Sequence, residues 1–101
     1  MRFSLAVKDG VPEEDDLENL AVEIVLEWRE LAHRLLEGDA ETDVLYDYQF
    51  ATPFGKAYKI LLKWKAAEGS NATFQALHDA LCHRLVNRPD LAQKYCLVKN
   101  D

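Results

Sequence analysis

Leu17, Leu20, Ala21 and Ile24 fall at i, i+3, i+4 and i+7, and Trp28, Leu31, Ala32 and Leu35 repeat that spacing. This period puts each set on one face of an α-helix and does not fit the two-residue alternation of a strand. No Gly or Pro separates the sets, so the pattern permits one long helix. Val25 and Leu26 broaden the apolar stripe between them and favour a second helix instead. Pro12 followed by Glu13, Glu14, Asp15 and Asp16 marks the start, because carboxylates in a first turn meet the positive end of the helix dipole. Gly38 is the expected stop.

The same punctuation recurs downstream. Residues 41–48 give a short helix with Val44, Leu45 and Tyr48 facing in. Thr52-Pro53 is an N-cap followed by an N1 proline, and it opens a helix to about Ala67 with Phe54, Ala57, Tyr58, Leu61 and Trp64 on its inner face. Gly69 closes it. Thr73 caps the next helix, with Phe74, Leu77, Ala80, Leu81 and Leu85 inward, and Asn87 caps a last one running through Tyr95 with Pro89 in its first turn. The count is six helices and the class is all-α. Residues 1–10 read as a lead-in, in which Phe3, Leu5 and Val7 alternate with smaller or polar residues but no partner strand presents itself. Residues 11–97 form the domain and 98–101 a short tail. The expected structural core is Trp28, Leu31, Leu35, Leu61, Trp64, Leu77 and Leu81.

Length and composition agree. A chain of 101 residues, 49% hydrophobic and 30% charged, has room for one folded domain with one core. A formal net charge of −6 argues against binding nucleic acid, whose phosphates call for a basic protein. Cys82 and Cys96 come with no secretory signal and read as reduced, partly buried thiols of a cytoplasmic protein. No run approaches the roughly 20 apolar residues of a membrane span.

Little in the chain points to chemistry. His78 and Cys82 share a helix face, with His83 beside them, but a structural zinc site needs four ligands, and His33 and Cys96 stand at no ligand spacing. A Cys–His nucleophile would need an orienting group and an oxyanion site, and no Gly-rich turn supplies one. There is no phosphate loop. The expectation is therefore no enzyme, no cofactor and no metal. Charge is the one surface feature that stands out. Lys56, Lys59 and Lys63 lie at i, i+3 and i+7, within about 60° on a helical wheel, turned away from Ala57, Leu61 and Trp64. Asp39, Glu41, Asp43 and Asp47 crowd an acidic stretch elsewhere. Either these charges only solubilise, or they form opposite poles for a head-to-tail contact.

Four segments resemble one family. Glu27-Trp28-Arg29-Glu30-Leu31-Ala32-His33-Arg34-Leu35 is similar to the second-helix signature of death domains, a tryptophan and a basic residue before Leu-Ala and a closing leucine. Lys56 to Trp64 resembles that family's fourth helix, Glu68 to Leu77 the turn into its fifth, and Asn87-Arg88-Pro89-Asp90-Leu91-Ala92 its closing segment. The likeness spans roughly residues 17–95. Many relatives carry a glycine or polar break before the tryptophan, where this chain has Val25-Leu26-Glu27. The resemblance implies a six-helix antiparallel Greek-key bundle without a cofactor. It would bind other death-domain proteins through asymmetric surface pairs, as an adaptor in apoptotic or innate-immune, NF-kappaB-type signalling. The alternative is a structural or scaffold domain of a larger protein, such as an ankyrin-like or transport-complex subunit. A nucleic-acid contact through the lysine stripe is a third reading, opposed by the net charge.

Overall fold

In a computed structural model of the chain, residues 6–36 and 52–98 are described. They contain five α-helices: α1 Glu14–Glu23, α2 Trp28–Leu35, α3 Pro53–Glu68, α4 Phe74–Cys82 and α5 Pro89–Cys96. Two 3₁₀ turns, Val25–Glu27 and Gly69–Asn71, join α1 to α2 and α3 to α4. The helix expected over 41–48, the stop at Gly38 and the acidic stretch lie outside the described residues.

The ends are fixed by local chemistry. Asp16 Oδ2 accepts the Glu13 backbone N–H at 3.0 Å, one half of a capping box. Thr52 Oγ1 accepts from Gly55 N–H at 2.9 Å, and Thr73 Oγ1 from Ala76 N–H at 3.1 Å, so both threonines cap as expected. Gly69, at φ 55°, terminates α3 in a conformation that a Cβ would disfavour. The permitted continuous helix over 17–35 does not form. Ile24 leaves helical geometry at the end of α1, and the 3₁₀ turn bends the chain into α2.

Four expectations change, three about inner faces and one about a cap. α4 ends at Cys82 and the chain turns, so Leu85 is exposed and Val86 is buried in its place. Arg88, not Asn87, is the N-cap of α5; Asn87 sits at φ 55° inside the turn, a conformation asparagine tolerates better than most residues. Phe54 and Tyr58 are only half-buried and stack on each other with ring centroids 5.9 Å apart. Ile60, which the expected stripe omitted, is buried.

α3 packs across α1 and α2, α4 against α5 and α2, and α5 also reaches α1. Trp28, Leu31, Leu35, Leu61, Trp64, Leu77 and Leu81 all lie in the resulting core, with Leu17, Leu20, Ile24 and Leu91. This is one helical layer packed on another around a single apolar interior.

The lead-in does find a partner. Val7 forms an antiparallel β-bridge with Leu97. Lys8 N–H donates to the Cys96 carbonyl and Val98 N–H to the Ala6 carbonyl, both at 2.8 Å. Gly10 C=O accepts from Phe74 N–H at 3.0 Å and so satisfies a donor at the start of α4. Lys8 Nζ lies 5.2 Å from the centre of the Phe74 ring, and Val7 packs on the core. A single bridge gives no periodic signal, which is why alternation alone did not identify Leu97 as the partner.

Candidate functional site

The lysine stripe lies along α3. Lys59 is exposed, while Lys56 and Lys63 are half-buried. Lys56 Nζ sits 5.6 Å from the centre of the Trp28 ring, and Arg29 Cζ lies 5.3 Å from the same ring. Trp28 is thus a core residue whose ring also steadies two cations at the surface. The stripe is one face of a helix held by the core beneath it, but its lysines are not interchangeable. Asp39, Glu41, Asp43 and Asp47 lie outside the described residues, so no geometry relates them to the lysines.

The residues weighed for chemistry are dispersed. Cys82 Sγ stands 4.0 Å from the His78 ring nitrogens, a sulfur contact at most. The two thiols differ more than expected: Cys82 is exposed, and Cys96 is fully buried, with burial raising its pKa to about 12. A thiol so protonated is a poor nucleophile. Among the described residues no group of three His, Cys, Asp or Glu could hold a metal ion. No described helix is long and apolar enough to cross a membrane.

Two surface features were not foreseen. The first is the corner between α1 and α2. Arg88 NH1 donates to Glu27 Oε1 at 2.8 Å and to the Glu23 carbonyl at 3.2 Å, while its Nε and NH2 grip Asp90 at 3.1 Å each. Asp90 and Glu27 hold the guanidinium charged, and Arg88 in turn keeps the Asp90 carboxyl below its ordinary range. Beside it, Lys94 Nζ and the Tyr95 hydroxyl both donate to Glu23 Oε2 and lower the Glu23 pKa. α5 therefore clamps the end of α1. The corner it holds still presents Leu26, 88% exposed.

The second is a cavity of about 300 Å³ at the far end of α2. Leu36, Trp64, Ala67 and Ala76 form its apolar wall, and Arg34 and Glu68 bring opposite charges to it. It lies where the ends of α2 and α3 meet the start of α4, and no local pattern in the chain could have announced it. The only sequence signal for Leu26 was the Val25-Leu26-Glu27 departure from the usual polar break.

A family model described as Death domain matches residues 14–95, most of the chain and all five helices but the last residue of α5. A comparison with curated proteins finds no match. The all-helical fold, the four motif segments in their expected order and the family match agree: the chain belongs to the death-domain family, whose members are protein–protein interaction modules rather than enzymes and bind other death-fold domains.

Proposed function

We propose that this domain acts in signalling assembly, as an adaptor-type module that recruits other death-domain proteins in the cytoplasm, in apoptotic or innate-immune, NF-kappaB-type pathways. The observation that carries this reading is the cationic face of α3, where Lys56, Lys59 and Lys63 share one side of the longest described helix. A basic face on α3 and an acidic stretch elsewhere in the sequence, Asp39 to Asp47, favour a heterologous contact over a self-complementary pair. Exposed pairs are worth only about 0–1 kcal/mol each, so several must act together and speed the encounter. The partner is a different death-domain protein, and the product is a head-to-tail hetero-oligomer.

The test is a pull-down with partner death domains at low and high salt. Lys56→Glu, Lys59→Glu and Lys63→Glu together keep the helical signal and abolish capture. Asp39→Lys, Glu41→Lys and Asp43→Lys impair a different contact, and mixing the two folded variants restores one mutual interface. Unchanged, salt-insensitive capture by the triple-glutamate variant reduces the stripe to solubilising charge.

A further inference from the structure

Arg34 stands in the last turn of α2 with fewer hydrogen bonds than its charge calls for. Its Nε is buried and has no hydrogen-bond partner among the described residues, and its NH1 lies 3.4 Å from His83 Nε2. His83 Nδ1 already accepts the Leu85 N–H at 3.1 Å, so in a neutral ring the hydrogen sits on Nε2. That nitrogen then cannot accept from Arg34. A buried donor left without an acceptor costs free energy that a carboxylate would recover, and a guanidinium can hold a carboxylate at two points.

The same side chain lines the cavity of about 300 Å³ where the ends of α2 and α3 meet the start of α4. Cavities that take organic ligands run from about 300 to 1,000 Å³, so the occupant is small. Leu36 and Trp64, both buried, give the cavity an apolar lining, and the short side chains of Ala67 and Ala76 leave it wide. Glu68, exposed, brings a carboxylate to it. Glu68 is also the last residue of α3, where the helix dipole is negative, so two effects favour a cation there. Among the described residues neither Arg34 nor Glu68 has an ion-pair partner, and the cavity therefore carries one unneutralised charge of each sign.

One class of small molecule answers all three features. We propose that this cavity is a binding site for a free α-amino acid with an aliphatic side chain of about the size of leucine. Its carboxylate meets Arg34, its ammonium meets Glu68 and the end of α3, and its side chain lies against Leu36 and Trp64. A bare anion such as phosphate would leave the apolar lining wet, and an aliphatic carboxylate would leave Glu68 unanswered. The last residue of a protein chain would bring a carboxylate and a side chain, but an uncharged amide where the ammonium belongs. The site uses none of Lys56, Lys59 and Lys63 and needs no partner domain, so its test is separate from that of the proposed function.

Proton–nitrogen correlation spectra of the isotope-labelled chain, titrated with L-leucine to tens of millimolar at neutral pH, test it. Saturable shifts should gather at the Trp64 indole N–H and at the backbone N–H groups of Leu36, Glu68 and Ala76. Isocaproate, isoamylamine and glycine each lack one of the three groups, and N-acetyl-leucine stands for a chain end. Each should bind at least about tenfold more weakly than leucine, the factor expected when a charged contact or a buried side chain is lost. Ala67→Leu fills the cavity from an exposed position, keeps the parent's circular dichroism and removes leucine binding. Arg34→Gln also removes it, and Glu68→Gln abolishes the preference for leucine over isocaproate. Shifts that never saturate, or that spread over the whole surface, overturn the proposal, as does leucine binding unchanged in Ala67→Leu. Phosphate or isocaproate binding as tightly as leucine overturns it too, by reducing the site to an anion contact. Tighter binding of N-acetyl-leucine does the same, by making the cavity a reader of protein chain ends. None of these outcomes bears on capture of partner domains by the lysine stripe.

Discussion

Replacing Arg88 by methionine keeps the aliphatic stem and removes every polar contact that this side chain makes at the corner between α1 and α2. The Glu27 pair carries most of the weight: both side chains are 25% exposed, and the NH1···Oε1 separation is 2.8 Å. A hydrogen bond to a charged group at such a site is worth about 1.5–3 kcal/mol, and removing the cation leaves Glu27 half-desolvated without its partner. The Asp90 side chain is 64% exposed, so that pair adds little despite its two-point geometry. The Glu23 carbonyl loses one donor at the end of α1. We expect a loss of about 2–3 kcal/mol, which in a domain of this size lowers the melting temperature by on the order of 10 °C. Thermal melts of the parent, Arg88→Met, Glu27→Gln and the double variant separate the pair from its surroundings. A coupling energy of about 1–2 kcal/mol is expected for Arg88 with Glu27. A single variant melting within about 2 °C of the parent, or a coupling near zero, refutes the clamp. Asp90→Asn should melt close to the parent.

Trp28→Ala and Trp64→Ala each remove a buried indole and should cost about 3–5 kcal/mol, much of the stability of a domain this small; urea titration followed by circular dichroism reads the loss. Deleting residues 1–10 should leave the helices folded but lower the melting point and expose the Cys96 thiol. Thiol-reagent kinetics should then show two reactive cysteines in place of one. The Glu23 carboxyl is lowered by hydrogen bonds from Lys94 and Tyr95, so its folded value lies below the unfolded one. Its contribution is full above the unfolded carboxylate range and is lost as pH falls through the folded value; Tyr95→Phe should flatten that acid limb of melting temperature against pH. Tyr95 runs the other way: burial first, then Glu23, raises its hydroxyl to about 12, so its contribution is complete below the unfolded value near 10 and disappears as pH rises through about 12, as an ultraviolet phenolate titration would show.

What the sequence disclosed was whatever a few adjacent residues decide. Thr52-Pro53 and Thr73 cap helices because a hydroxyl three positions before a free N–H is sufficient by itself. Trp28, Leu31 and Leu35 are buried because their spacing puts them on one helix face. The period failed where a helix ended. Leu85 continues the stripe of α4 on paper, but α4 stops at Cys82, and the turn that follows delivers Val86 inward instead. Leu26 failed in the same way: counted as helix it broadens the stripe, but the 3₁₀ turn rotates it out to solvent. The cavity and the Val7–Leu97 bridge depend on elements distant in the chain, and neither leaves a local mark. Lys56, Lys59 and Lys63 were legible as a stripe; the ring of Trp28 beneath Lys56 was not.

The bridge between Val7 and Leu97 joins opposite ends of the described chain, and this bears on the order in which the fold assembles. The helix pairs meet through shorter chain separations, so they can form while the ends are still free. Beyond the Gly10 and Lys8 contacts with Phe74, the backbone of the lead-in has nothing to pair with until α5 has set the positions of the Cys96 carbonyl and Val98 N–H. We expect these pairings to be absent from the rate-limiting step of folding and present only in the finished domain. Interactions of that kind leave the folding rate almost unchanged and slow the reverse reaction. Residues 6–10 thus act as a brake on opening: without them the domain should fold about as fast, but its native state should have a shorter lifetime.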